Sequence, residues 1–141
     1  MTPQAALELY IHTLERLTGE SIDDLDHVCR SNVRFKDPLH DVLGRQAMKK
    51  VFAKLFRVAQ DVNYFVHDHA VEGQHAFFHW RLEASLSGKP WSVDGITRVT
   101  FDELGQVSDH TEYWDAASQL YGRFPIVGTL LRFIRRRIAD A

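Results

Sequence analysis

Residues 62–114 read VNYFVHDHAVEGQHAFFHWRLEASLSGKPWSVDGITRVTFDELGQVSDHTEYW, and this stretch decides the fold. Its segments Val62 to Val71, His75 to Ser87, Trp91 to Phe101 and Val107 to Trp114 are rich in aromatic and β-branched residues. They alternate with a period of two, the spacing of strands with one face covered. Gly73, Ser87-Gly88 and Asp102-Glu103-Leu104-Gly105 fall between them as turns. Four consecutive strands with short connections predict an antiparallel meander.

Upstream the period changes. Thr2-Pro3 reads as an N-cap with proline at the first helical position, and Leu7, Ile11, Leu14 and Leu17 recur at helical spacing. Ser21 with Asp24 resembles a capping box opening a short second helix that runs towards Cys29. Val33, Phe35 and Asp37 alternate with Arg34 and Lys36, a strand that Pro38 ends and that sets Asp37 on its apolar side. After Gly44, the positions Met48, Val51, Phe52, Leu55 and Ala59 outline a third, amphipathic helix. Three helices grouped with a meander argue for a layered α+β fold, not a parallel α/β sheet.

The chain has 141 residues, 45% apolar and 26% charged, which suits one domain around one core. No segment approaches the roughly 20 apolar residues of a spanning helix, and no basic-then-apolar leader opens the chain, so the expectation is a cytoplasmic protein. The net charge of -2 hides an asymmetry. Residues 1–121 hold 12 Lys or Arg against 18 Asp or Glu, whereas the tail from Gly122 holds five arginines and one acid. An acidic body argues against a nucleic-acid-binding face, which needs clustered cations.

The order of elements, with Phe35-Lys36-Asp37-Pro38 on the first strand, Gly44-Arg45 opening the third helix and Phe101 to Val107 as the last hairpin, resembles the nuclear transport factor 2-like superfamily. The resemblance spans residues 5–117 and extends to ketosteroid isomerase and the SnoaL-like polyketide cyclases. It implies a cone-shaped curved antiparallel sheet, enclosing an apolar pocket with the three helices of the N-terminal half, often in a homodimer. Residues 1–121 form this domain, and residues 122–141 add a basic amphipathic helix packed on it. In ketosteroid isomerase the Asp before that proline is the general base, so the resemblance gives Asp37 that role. The spacing adds a physical reason, because an aspartate on the apolar face of a strand is desolvated and so tuned for proton transfer unless it is paired. The structural alternative is that Asp37 caps a turn or pairs with Arg45 or His40.

An enolate made by such a base needs donors at its oxygen. Alignment from Asp94 to Phe101 puts Thr97 where ketosteroid isomerase has a protonated aspartate, and Tyr10 meets its tyrosine only with a longer first helix or loop. This departure argues against steroid isomerisation. His110, Glu112 and Trp114 share one strand face, which the resemblance assigns to the pocket. His110 there serves as acid or base opposite Asp37, or is a histidine hydrogen-bonded inside the barrel. Trp80, Trp114 and Tyr10 are read as pocket lining. Asp115, pointing the other way, is read as the cap of a helix from Ala116.

Other features read as structural. Cys29, the lone cysteine, is taken as a small buried hydrophobe. His67 with His69 and His75 with His79 share strand faces but lack a third ligand, so no metal is expected. The family frame places Phe78, Trp80, Leu82 and Ala84 inside and His79, Arg81 and Glu83 on the outer face, where dimers of this superfamily pack. In the tail, Val127, Leu130, Leu131, Ile134 and Ile138 form a stripe opposite Arg132, Arg135 and Arg136. Besides packing on the domain, such a helix suits an anionic membrane surface or a partner. The functional expectation is a binder of a small apolar molecule bearing a carbonyl or hydroxyl, with cofactor-free proton transfer as isomerase, cyclase or dehydratase. The alternative is a non-catalytic ligand-binding or dimeric interaction domain. No Gly-rich phosphate loop and no GxSxG elbow occurs, which argues against nucleotide and serine hydrolases.

Overall fold

The computed structural model describes residues 1–140. Helix α1 (Pro3–Glu15) starts where expected, since the Thr2 side chain accepts from Ala5 N and proline stands in the first turn. The next element is a 3-10 helix, Ile22–His27, and the capping box does not form. The Ser21 hydroxyl is engaged by Thr18 instead, accepting from Thr18 N at 2.8 Å. Cys29 is not helical either. It opens strand β1 (Cys29–Lys36) and is fully buried there. Strand β2 (Asp41–Leu43), too short for its period to be read, pairs back on β1. Helix α2 (Arg45–Val58) then leads to the meander β3 (Ala59–Glu72), β4 (His75–Leu86), β5 (Lys89–Phe101) and β6 (Val107–Trp114).

The six strands lie in the order β2-β1-β6-β5-β4-β3. All neighbours are antiparallel except β1 and β6, which run parallel, Phe35 opposite His110 and Lys36 opposite Thr111. The sheet is therefore mixed and open, which corrects the all-antiparallel expectation. The reason is topological: α2 carries the chain to the far edge, and the meander returns β6 to β1 in the same direction. The β3–β4 ladder shifts register twice, between Gln60 and Asn63 and between Val66 and Asp68, and such bulges bend a sheet. The resulting α+β cone has α1 and α2 against its concave face.

The core is that face. Leu7, Tyr10, Val33, Phe35, Met48, Phe78, Val99 and Val107 have 0–1% exposure, and truncating a buried phenylalanine such as Phe35 costs about 3–5 kcal/mol. Trp80 and Leu82 point inward and Phe77 and Arg81 outward, as the period of two requires. The edge strand β3 has one N–H covered from within, since Val66 N donates to Glu15 Oε2 at 3.0 Å. After β6, Asp115 caps α3 (Ala116–Gln119) by accepting from Ser118 N. A 3-10 turn at Tyr121–Arg123 leads into α4 (Pro125–Ala139), which lies mainly against that turn and α3. No helix among the described residues is long and apolar enough to cross a membrane, a statement that does not extend to strands.

Candidate functional site

The cone holds a cavity of about 430 Å³. Leu14 from α1, Leu17 just beyond its end, Phe52 and Leu55 from α2, and Val93 and Trp91 from β5 make its wall mostly apolar. Trp80 and Trp114 line it, as their strand faces demand. Trp80 owes its position to Gly95, its partner on β5. A Cβ at Gly95 would stand 2.4 Å from the indole, so only glycine admits the ring there. The indole Nε1 of Trp80 donates to Thr97 Oγ1 at 2.8 Å, and Tyr64 stacks on its ring at 5.5 Å.

The polar groups on the wall are few: Glu15, Asp37, His40, Lys54, Tyr64 and Glu112. Asp37 lies just past β1 in a tight turn. Its Oδ1 accepts from Leu39 N at 2.8 Å, from His40 N at 2.7 Å and from His40 Nδ1 at 2.9 Å. Asp37 thus lines the cavity and caps the turn at once. Arg45, the other partner considered for it, instead forms an ion pair with Asp26 at 3.0 Å.

Glu112 is the carboxylate with the more unusual setting. Its Oε2 lies 2.8 Å from Nε2 of His110, and the other ring nitrogen, Nδ1, lies 2.7 Å from the Tyr10 hydroxyl. His110 and Tyr10 are both at 0% exposure, with the imidazole stacked on Phe35 at 5.0 Å. Burial holds the Tyr10 hydroxyl far above the ordinary tyrosine range, and the nearby Glu112 charge adds to this. The ionised Glu112 carboxylate only accepts, so the neutral imidazole carries its proton on Nε2 and its Nδ1 accepts from the Tyr10 hydroxyl. The order is Tyr10 O–H to Nδ1, then Nε2–H to Oε2. A buried histidine between a phenol and a carboxylate can pass a proton in either direction by exchanging the two tautomers.

Of the residues singled out in the sequence, Asp37, Trp80 and Trp114 face the cavity. Tyr10, His110 and Thr97 lie one layer behind it, the first two joined to it through Glu112 and Thr97 through Trp80. His110 and Asp37 thus do not face each other across open space. The carboxylate that meets the cavity on the His110 side is Glu112, which the sequence reading placed on the right face but gave no role. Its signal was the i, i+2 spacing from His110 on one strand face. Thr97 is also the cross-strand partner of Glu112, so the hydroxyl that accepts from Trp80 and the carboxylate share one patch of sheet.

On the outer face the His67 and His79 rings stand 5.5 Å apart. Among the described residues no three His, Cys, Asp or Glu gather as a metal site. Cys29 is buried beneath the wall, and burial pushes its thiol up to about 12, where it is not a nucleophile.

No curated protein matches the sequence. Among solved structures, a candidate SnoaL-like polyketide cyclase from Jannaschia sp. CCS1 superposes with a TM-score of 0.63 at 20% identity, covering 69% of this chain and 74% of its own. A protein with a ketosteroid isomerase-like fold from Catenulispora acidiphila DSM 44928, in complex with trimethylamine, gives 0.69 at 14% identity over 85% and 92%. An LEH-like epoxide hydrolase of M. tuberculosis gives 0.67 at 11% identity over 99% and 96%. At such identities these likenesses establish the nuclear transport factor 2-like cone fold and leave the reaction open. The sequence model of the SnoaL-like domain matches residues 10–110, most of the cone from α1 to the histidine on β6, and the chain belongs to the SnoaL-like domain family.

Proposed function

We propose that the cavity binds a small, neutral, largely apolar molecule bearing a carbonyl or hydroxyl, and that Glu112 exchanges a proton with it. The observation that carries this reading is a carboxylate on an apolar wall, tied by 2.8 Å to a fully buried histidine. The mostly apolar wall favours a neutral ligand, and its charges disfavour an anionic one, since three carboxylates (Glu15, Asp37, Glu112) stand against one ammonium, Lys54. Glu112 takes a proton from carbon or from a hydroxyl, and His110 with Tyr10 stabilises whichever charge state results. Asp37, held by His40, is the second carboxylate and orients the ligand's polar end. The chemistry is cofactor-free isomerisation, cyclisation or dehydration, with geometry and desolvation supplying the acceleration.

The test is thermal denaturation of the wild type against a panel of neutral terpenoid, steroid and aromatic polyketide carbonyls and alcohols. A ligand at about 100 times its dissociation constant adds about 2.7 kcal/mol, a shift of several degrees for a domain of this size. Trp114→Ala should abolish the shift and Glu112→Gln should change it. No shift across a broad panel, in a chain that melts cooperatively, rules the reading out. A non-catalytic binder is the second reading, favoured by one observation: Asp37 Oδ1 already accepts three hydrogen bonds and so works as a structural cap.

We read the outer sheet face as the surface for a second copy of the chain. Phe65, Phe77, Ile96 and Tyr113 are 38–60% exposed there, around the paired charges Arg81 and Asp94. Both signs and an apolar centre make the patch self-complementary, as a two-fold interface requires. Ile96→Glu should turn a dimer into a monomer in light scattering.

A further inference from the structure

His110 and His40 both bear on the cavity, and they differ in what their ring nitrogens have left to offer. His110 has both nitrogens engaged, by Tyr10 and by Glu112, and no exposed surface. His40 lines the cavity from the turn after β1, with its side chain 29% exposed. Its Nδ1 lies 2.9 and 3.2 Å from the two Asp37 oxygens. Nε2, across the ring, has no hydrogen-bond partner among the described residues and is not sealed from solvent.

Asp37 is the more buried partner, at 9% side-chain exposure, and three donors already share its Oδ1: the Leu39 and His40 N–H groups and the imidazole. One oxygen has two lone pairs, so Asp37 has little acceptor capacity left for a ligand, and its effect is to fix the ring. An ionised carboxylate only accepts, so the neutral imidazole carries its proton on Nδ1 and keeps a bare lone pair at Nε2. This is the arrangement in which a carboxylate sets the tautomer of a histidine that meets the ligand. We infer that His40 Nε2 is the hydrogen-bond acceptor that fixes the polar end of the ligand, which makes that end a hydroxyl rather than a carbonyl or an ether oxygen. A lone pair takes an O–H and repels an oxygen that can only accept. The inference rests on the cavity reading above and narrows it, since Asp37 then orients the ligand through His40. Any carbonyl whose neighbouring proton Glu112 takes stands elsewhere on the same molecule.

The experiment measures dissociation constants by titration calorimetry for alcohols beside their ketones and methyl ethers: menthol with menthone, borneol with camphor, tetralol with tetralone. The pH is about 8.5, where an imidazole of ordinary basicity is neutral. In the wild type each alcohol that binds should do so about tenfold more tightly than its ketone or ether, the scale of one hydrogen bond. His40→Phe keeps a ring at that place without an acceptor, so alcohol and ketone should bind alike. His40→Gln offers both a donor and an acceptor, so it should bind both and equalise them. A merely structural role would weaken alcohol and ketone in parallel and leave their ratio unchanged, which makes the ratio the readout. Both variants keep the backbone N–H that donates to Asp37, and unchanged melts check the fold. Ketones that bind the wild type as tightly as their alcohols, or a ratio that survives His40→Phe, overturn the inference and leave the cavity reading standing. No binding by any of the pairs, in a chain that melts cooperatively, overturns both.

Discussion

Tyr10→Phe isolates the buried relay. The substitution removes one oxygen and keeps the ring, so the packing of Tyr10 against Phe78 and His110, at 6.4 and 5.8 Å between centroids, is retained. What is lost is the 2.7 Å bond to His110 Nδ1, at a place where neither residue has any exposed surface. No water reaches Nδ1 to replace the hydroxyl, so the cost is that of an unsatisfied buried acceptor, about 1–3 kcal/mol. For a domain of this length that is a fall of roughly 3–10 °C in Tm. Urea denaturation of the wild type, Tyr10→Phe, Glu112→Gln and the double variant completes the measurement. The two substitutions should be coupled, because both act on the tautomer of one imidazole. A Tyr10→Phe chain as stable as the wild type, or two effects that simply add, would refute the relay.

Gly95→Ala should cost about 2 kcal/mol or more, with altered tryptophan fluorescence, since its methyl would occupy the place of the Trp80 ring. Cys29 should resist thiol reagents at pH 8 in the folded protein and react at once in urea, because burial raises its thiol to about 12 and hides it. Stability should fall with alkali. Tyr10 is held above its unfolded value near 10 by burial. The stability it adds is complete below pH 10 and is then lost by about 1.4 kcal/mol per pH unit, towards the raised folded value. Tyr10→Phe should flatten that decline, and an equal slope in both proteins would contradict the assignment.

The meander was legible because alternation extends over four long strands and its turns carry glycine. Strand β2 was not, since Asp41-Val42-Leu43 is too short to show a period. The parallel pairing of β1 with β6 depends on how α2 crosses the sheet, which no local spacing encodes. At the site, Asp37 was legible twice over, as an acid on an apolar face and as a turn former before Pro38, and it has both surroundings. The exchange of His110 for Glu112 at the cavity surface has a different origin. Both lie on one face of β6, and which of them is covered depends on Phe35 and Phe52 closing over the imidazole at 5.0 and 6.3 Å. The Tyr10–His110 bond joins residues 100 positions apart, and only the folded chain reveals it.

Proton transfer by Glu112 to a bound ligand is the central claim, and deuterium exchange tests it most directly. The panel compounds that raise Tm would be incubated with the protein in heavy water and followed by proton NMR for loss of the signals next to their oxygen-bearing carbon. Protein-dependent exchange is expected in the wild type, reduced at least 100-fold in Glu112→Gln, the usual scale for losing a general acid or base. Ligands that bind tightly and exchange no faster than in buffer, or a Glu112→Gln variant that exchanges as fast as the wild type, would contradict it.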